Sequence, residues 1–109
     1  MPAAGYTYVW AFVVRADSRH LFEKHYGPDG TWAQLFRRSE GYVETLLLHD
    51  KSTPLRYITV DRWRSHRDYE EFRLKFANDY ARLDRQCEHM TTHEEGLGEY
   101  DEWVKGSHT

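Results

Sequence analysis

The chain has 109 residues, of which 39% are hydrophobic and 30% are charged, and its formal net charge is −3. This size and composition indicate one globular domain over residues 1–109, with a core over about 6–104, and argue against disorder. The chain has no surplus of basic residues, which argues against binding to nucleic acid. Its single cysteine excludes an intrachain disulfide. The longest apolar run, Val9 to Val14, is too short to span a membrane.

The first predicted strand, Tyr6 to Val14, is apolar or aromatic on both of its alternating sides. Aromatic and β-branched residues favour strands, and a strand that is apolar on both sides is covered on both faces. Asp17 is a suitable N-cap for a helix that runs to Tyr26, and Gly27 with Pro28 ends that helix.

A second, short helix is predicted after Asp29, which can cap it. Trp32 and Phe36 lie on one face of this helix, and Gly41 follows as a terminator. Two strands follow, Tyr42 to His49 and Leu55 to Trp63, and the short segment between them predicts a hairpin.

Ser65 and Asp68 form a capping-box pattern that opens a long helix. Apolar residues recur along this helix at steps of three and four, with Asn78 as a candidate bend. They are Tyr69, Phe72, Phe76, Tyr80, Leu83, Cys87 and Met90. A fourth strand is predicted over Leu97 to Val104.

The element order is strand, helix, strand, strand, helix, strand, which predicts the α+β, ferredoxin-like βαββαβ arrangement with an antiparallel four-stranded sheet. Both helical segments then cover one sheet face, and no further element is left to cover the other. Because the first strand is apolar on both sides, we expect a homodimer in which the sheets pack face to face.

Three stretches and the element order resemble the antibiotic biosynthesis monooxygenase domain family, whose members are dimeric α+β barrels. The stretches are YGPDGTWAQLFRRSEGY (Tyr26 to Tyr42), YITVDRWRS (Tyr57 to Ser65) and DYEEF (Asp68 to Phe72). A tryptophan that ends the third strand just before a helix-capping serine, as Trp63 does here, is usual in that family. The resemblance covers roughly residues 6–100 and implies a reaction cavity between the sheet and the helices.

The resemblance implies five candidate residues for the cavity wall, and ordinary core packing is the alternative for each of them. They are Trp32, Tyr57, Trp63, Phe72 and Phe76. Aromatic residues make up 16% of the chain, and the polar tips of Trp and Tyr need partners when they are buried, which favours a ligand cavity.

Two acidic residues, Glu44 and Asp61, fall within predicted strands, where acids are depleted. If the hairpin folds about residues 52 and 53, these two side chains approach each other with Arg62 nearby, and a buried carboxylate is a candidate base. The alternative is a solvated strand face or an ion pair with Arg56 or Arg62.

No metal or cofactor site is predicted. His89 and His93 have the spacing of two metal ligands on a helix, but Thr91 and Thr92 end the helix between them and no third ligand is evident. The related haem-degrading enzymes use an Asn, a Trp and a His. In this sequence Phe72 stands at the Trp position and the His position falls near Arg82, so the residues needed for haem degradation are absent there.

The resemblance therefore implies a cofactor-independent monooxygenase that acts on an aromatic or polyketide-like small molecule. The alternatives are a non-catalytic dimeric module that binds a small ligand, and an isomerase or cyclase on the same fold. No basic region precedes an apolar stretch at the N-terminus, so we expect no signal peptide, no membrane association and a cytoplasmic location.

Overall fold

The computed structural model describes residues 5–103 as a four-stranded antiparallel sheet with helices packed on one face. The strands are β1 (Gly5–Val14), β2 (Tyr42–His49), β3 (Arg56–Trp63) and β4 (Thr91–Glu102), in the spatial order β2-β3-β1-β4. The helices are α1 (Arg19–Tyr26), α2 (Thr31–Phe36), α3 (His66–Lys75) and α4 (Ala77–Cys87). The α+β, ferredoxin-like prediction is confirmed. No helix within residues 5–103 is long and apolar enough to cross a membrane.

The boundaries of two predicted helices were wrong. Asp17 lies in a 3-10 turn, and α1 begins after it at Arg19 without a side-chain cap. The long helix breaks at Phe76, not at Asn78, because the backbone of Phe76 leaves the helical region and separates α3 from α4. The aromatic stripe therefore continues across two helices.

Two predicted caps have different outcomes. Ser65 caps α3 as predicted, since its hydroxyl oxygen accepts a 3.1 Å hydrogen bond from the Asp68 amide. Asp29 does not cap α2, because Gly30 occupies the N-cap and the Asp29 carboxylate pairs with Arg37 at 2.6 Å.

Strand β4 begins at Thr91, six residues before the predicted start at Leu97, and the predicted end at Val104 lies outside the described residues. Its first half is rich in charged and polar residues, which is usual for an edge strand and hides the alternating pattern. The register against β1 shifts between Val9 and Trp10, which leaves Leu97 as the extra residue of a bulge.

The register of the β2–β3 hairpin contradicts the predicted approach of Glu44 to Asp61. Asp61 lies opposite Thr45, and Glu44 lies opposite Arg62, with a register shift between Tyr42 and Glu44. A slip of one residue moves a side chain to the other sheet face. Asp61 therefore faces the helices, and Glu44 pairs with Arg62 on the uncovered face.

The helix-side face of the sheet forms the core, which is largely aromatic. Phe12 packs against Phe22, and Trp63 packs edge-on against Phe36. The opposite face has no covering element among the described residues. Its centre is apolar, with Val9 paired to Val60 and with Leu46 and Leu48 still 41% and 49% exposed.

Candidate functional site

A cavity of about 350 Å³ lies between the sheet and the helices. This volume is at the lower end of the range for small-molecule pockets. Its sheet side is formed by Tyr8, Trp10, Phe12, Thr45, Thr59, Asp61 and Glu94. Its helix side is formed by Tyr26, Trp32, Phe36, Arg73, Tyr80 and Asp84. Aromatic side chains dominate the walls, so the cavity suits a flat, apolar molecule with few polar groups.

Asp61 is the buried acid of this cavity, with only 6% of its surface exposed. Its Oδ1 accepts a 2.6 Å hydrogen bond from the Thr45 hydroxyl. Burial raises the pKa of the Asp61 carboxyl to about 7, and the hydrogen bond from Thr45 acts in the opposite direction. A carboxyl with a pKa near neutrality can both accept and return a proton at physiological pH.

The second oxygen of Asp61 remains available to a ligand. Within residues 5–103, no hydrogen bond reaches Oδ2 of Asp61, and this oxygen is not among the fully sealed side-chain atoms that lack a partner. Oδ2 is therefore not sealed from solvent. Since Asp61 lines the cavity, this oxygen can meet a hydroxyl group of a bound molecule.

Tyr8 is the cross-strand neighbour of Asp61 in the β1–β3 pair and lines the same part of the cavity. No described residue accepts a hydrogen bond from its hydroxyl, and the hydroxyl oxygen lies within hydrogen-bonding reach of the Trp63 indole N–H. Burial, followed by the negative charge of Asp61, raises the pKa of Tyr8 well above its usual value, and the Trp63 indole lowers it. The hydroxyl therefore stays protonated and can donate to a ligand oxygen.

Hydroxyl groups connect Asp61 to the outer part of the sheet. The Tyr42 and Thr45 hydroxyls lie 2.7 Å apart, and Thr45 uses its proton for Asp61, so Tyr42 donates to Thr45. Tyr42 is half-buried at the start of β2. The chain Tyr42–Thr45–Asp61 fixes the carboxyl, with both hydroxyl protons directed toward it.

Arg73 is the one cationic side chain among the described residues that line the cavity. Its guanidinium lies 3.8 Å from the centre of the Tyr80 ring and donates a 2.9 Å hydrogen bond to the Tyr69 hydroxyl. Burial raises the pKa of Tyr80 to about 12, so this ring remains a neutral phenol under the guanidinium.

The structure separates the predicted site residues. Trp32 and Asp61 line the cavity, whereas four other predicted wall residues, Tyr57, Trp63, Phe72 and Phe76, lie outside its lining. The Tyr57 hydroxyl donates to Glu23 at 2.5 Å, away from the cavity. Trp63 and Phe72 pack against each other in the core at a ring separation of 5.2 Å, and Phe76 lies under the Lys75 ammonium.

Tyr8, Thr45 and Arg73 are candidate functional residues that the sequence did not single out. Tyr8 lies in a strand whose aromatic residues alternate along the sequence, and this alternation is the same for a core residue and for a residue that lines a cavity. Thr45 becomes informative only through the β2–β3 register. Arg73 belongs to the polar side of a surface helix, and only the structure shows that it stacks over Tyr80 beyond the break at Phe76.

No group of three or more His, Cys, Asp or Glu side chains within residues 5–103 is arranged to hold a metal ion. His89 lies in the 3-10 turn after α4, and His93 lies in β4, so the two do not share a helix face. His93 instead lies 3.6 Å from Glu95.

No protein-family model matches the chain. No curated protein sequence matches it either. Several solved structures match the chain in fold. A protein of Nitrosomonas europaea assigned as an antibiotic biosynthesis monooxygenase has a TM-score of 0.70 at 14% identity, over 93% of this chain and 92% of that chain. A protein of Bordetella bronchiseptica with the same assignment has a TM-score of 0.70 at 16% identity, over 93% and 99%.

SnoaB, a cofactor-independent oxygenase from Streptomyces nogalater, has a TM-score of 0.69 at 18% identity, over 97% of this chain and 100% of that chain. Identities this low show a common fold and leave the reaction open. The predicted resemblance in fold to the antibiotic biosynthesis monooxygenases is therefore confirmed.

Proposed function

We propose that the protein is a cofactor-independent monooxygenase that oxidises a phenolic aromatic or polyketide-like molecule in the cavity between sheet and helices. The main support for this proposal is the position of the Asp61 carboxyl. It is buried in the cavity wall, only its Oδ1 is hydrogen-bonded, and it lies beside the Tyr8 hydroxyl, whose proton no described residue accepts. A base and a hydrogen-bond donor then face the same bound molecule.

The chemistry begins with removal of a proton from the substrate by Oδ2 of Asp61. The resulting electron-rich anion gives up an electron to dioxygen, and recombination forms a carbon–oxygen bond and a peroxy anion. Tyr8 donates a hydrogen bond to this anion and so stabilises the negative charge that develops on oxygen. Loss of the proton from the ring carbon that carries the peroxy group then breaks the oxygen–oxygen bond and releases water. A phenol with a free ring C–H and O₂ thus give a quinone and water.

The substrate supplies all the electrons in this scheme, so the protein needs only to bind, deprotonate and stabilise. The aromatic walls fit the substrate class, with Trp10 and Phe12 on one side and Trp32 and Tyr80 on the other. The fold of SnoaB, named as a cofactor-independent oxygenase, supports the reaction class at the level of the fold.

We also propose that the protein is a homodimer through the uncovered sheet face. Val9 and Val60 pair at its centre, with Leu46 beside them opposite Val60. An apolar face that is left exposed on a monomer costs free energy and favours association. A two-fold axis would cover both faces at once.

The test is oxygen consumption by the purified protein with anthrone or a hydroxynaphthalene, in the presence of a metal chelator and without added nicotinamide or flavin. The expected result is uptake of one O₂ per carbonyl formed, at a rate well above that of the folded Asp61→Asn variant. Equal rates for the wild type and this variant across a panel of phenols would overturn the proposal and favour the non-catalytic ligand-binding module.

A further inference from the structure

We propose that Arg73 binds a carboxylate of the ligand, so that the cavity selects a hydroxyaromatic acid over a neutral phenol. This inference rests on the proposed use of the cavity as a substrate site. It concerns how the ligand is recognised and can be tested without turnover.

Arg73 is held in place but left with free donors. The Tyr80 ring lies under its guanidinium at 3.8 Å, and one N–H donates to the Tyr69 hydroxyl at 2.9 Å. A guanidinium has five N–H donors in a rigid planar fork that matches a carboxylate. The remaining donors of Arg73 have no hydrogen-bond partner among residues 5–103.

Arg73 also has no counterion among the residues that the structure describes. It forms no ion pair with any residue between 5 and 103, whereas Arg62 lies between two carboxylates, Glu44 and Glu102. A positioned cation that lines a cavity without an acidic partner is suited to an anionic ligand group, since a charge-assisted, bidentate contact is stronger than a neutral one.

The cation lies at the same end of the cavity as the proposed base. Tyr69, which accepts from Arg73, has its ring centre 5.0 Å from that of Tyr8, and Tyr8 is the cross-strand neighbour of Asp61. A carboxylate on Arg73 and a hydroxyl at Asp61 must then be near each other on one molecule. This geometry points to an acid group beside the reacting hydroxyl.

Two other acids line the cavity and would repel a carboxylate placed near them. Glu94 lies opposite Phe12, four residues along β1 from Tyr8, which is roughly 13 Å in a strand. Asp84 lies one helical turn from Tyr80 on α4 and acts on the same ring as Arg73, so it does not distinguish the two ends. Glu94 therefore disfavours the orientation in which the acid group of the ligand lies far from Arg73.

The experiment compares two probes of the same shape, one anionic and one neutral, by isothermal titration calorimetry at pH 7.5. They are 1-hydroxy-2-naphthoic acid and 1-hydroxy-2-naphthamide. The wild type should bind the acid at least tenfold more tightly than the amide, and added salt should reduce this preference. Arg73→Gln should abolish the preference by weakening binding of the acid much more than that of the amide, and Arg73→Lys should retain part of it because the charge remains. Arg85→Gln is the matched control, since Arg85 is exposed on α4 and does not line the cavity.

Equal affinity of the wild type for acid and amide, an unchanged preference in Arg73→Gln, or no binding of either probe would overturn the inference. The outcome is separate from that of the proposed function. A preference that depends on Arg73 without any oxygen uptake would support the recognition site and reject the oxygenase. Oxygen uptake with equal binding of acid and amide would support the oxygenase and reject the recognition site.

Discussion

The hydroxyl of Thr45 donates a 2.6 Å hydrogen bond to Oδ1 of Asp61 across the β2–β3 pair, at the floor of the cavity. This bond favours the ionised carboxylate, whereas burial favours the neutral acid. The balance leaves the pKa of Asp61 at about 7, so the contact that positions the carboxyl also sets its basicity.

Thr45→Val should raise the pKa of Asp61 above its wild-type value, because the change removes the hydroxyl donor and keeps the side-chain shape. A titration of the carboxyl carbon signals by NMR measures the shift directly and needs no substrate. Thr45→Ser keeps the donor and is the control, with a pKa close to that of the wild type. An identical Asp61 titration in the valine variant would show that the hydroxyl does not act on the carboxyl.

Asp61→Asn should reduce oxygen uptake by about 10² to 10⁴ if Asp61 is the base, since this is the usual contribution of a positioned proton acceptor. The amide keeps the size of the carboxyl but cannot accept the proton. Glu44→Gln is the control, because Glu44 lies on the opposite sheet face and pairs with Arg62. Both variants are compared by oxygen electrode after circular dichroism has verified that they are folded. A loss shared equally by both variants would argue against a specific role for Asp61.

The raised pKa of Asp61 also predicts a pH dependence of stability. The folded state holds the proton more tightly than the unfolded chain, in which the pKa is near 3.8. The stabilising effect of this group is therefore fully present below about pH 4 and is lost as the pH rises through about 7. Urea unfolding from pH 4 to 8 should show the wild type losing on the order of a few kcal/mol relative to Asp61→Asn. A constant difference between the two proteins would contradict the shift.

Tyr8→Phe should lower the rate of oxygen uptake by roughly 10 to 10³, the cost of removing a donor to a developing oxyanion. The ring remains, so the packing against Tyr6 and Tyr69 is preserved. Tyr57→Phe is the matched control, because its hydroxyl donates to Glu23 outside the cavity. We expect little change in the rate for this control. The reverse order of effects would place the oxyanion donor at Tyr57.

The sequence was sufficient for the fold because the signals that determine it are local. Alternation in Tyr6 to Val14, the capping serine Ser65 and the stripe along α3 and α4 all act through neighbouring residues. Edge strand β4 was only half predicted, since its first half carries charges that an edge strand tolerates.

The site was less predictable because it depends on register and on packing. Asp61 was a candidate because acidic residues are rare within strands. The register of the hairpin, which the sequence does not show, places Glu44 on the opposite sheet face from Asp61. Tyr8, Tyr57 and Trp63 all face the helices. Tyr8 lines the cavity, whereas Tyr57 and Trp63 are covered by other side chains, and this difference depends on where α2, α3 and α4 pack.

The uncovered sheet face determines the expected assembly state. The wild type should be a dimer at micromolar concentration by light scattering, because the apolar centre of the uncovered sheet face needs a partner. Val9→Asp places a charge at that centre, opposite Val60, and should dissociate the dimer or unfold the chain, since an unpaired charge would be buried at the interface.

Leu46→Glu separates these two outcomes. Leu46 is 41% exposed on the single chain, so a monomer tolerates the charge there while a face-to-face dimer does not. We expect a folded monomer by circular dichroism and light scattering. Gln86→Glu, on the exposed side of α4, adds the same charge elsewhere and should leave the dimer intact. A wild type that is a stable monomer, or a Leu46→Glu variant that is still dimeric, would mean that this sheet face is not the interface.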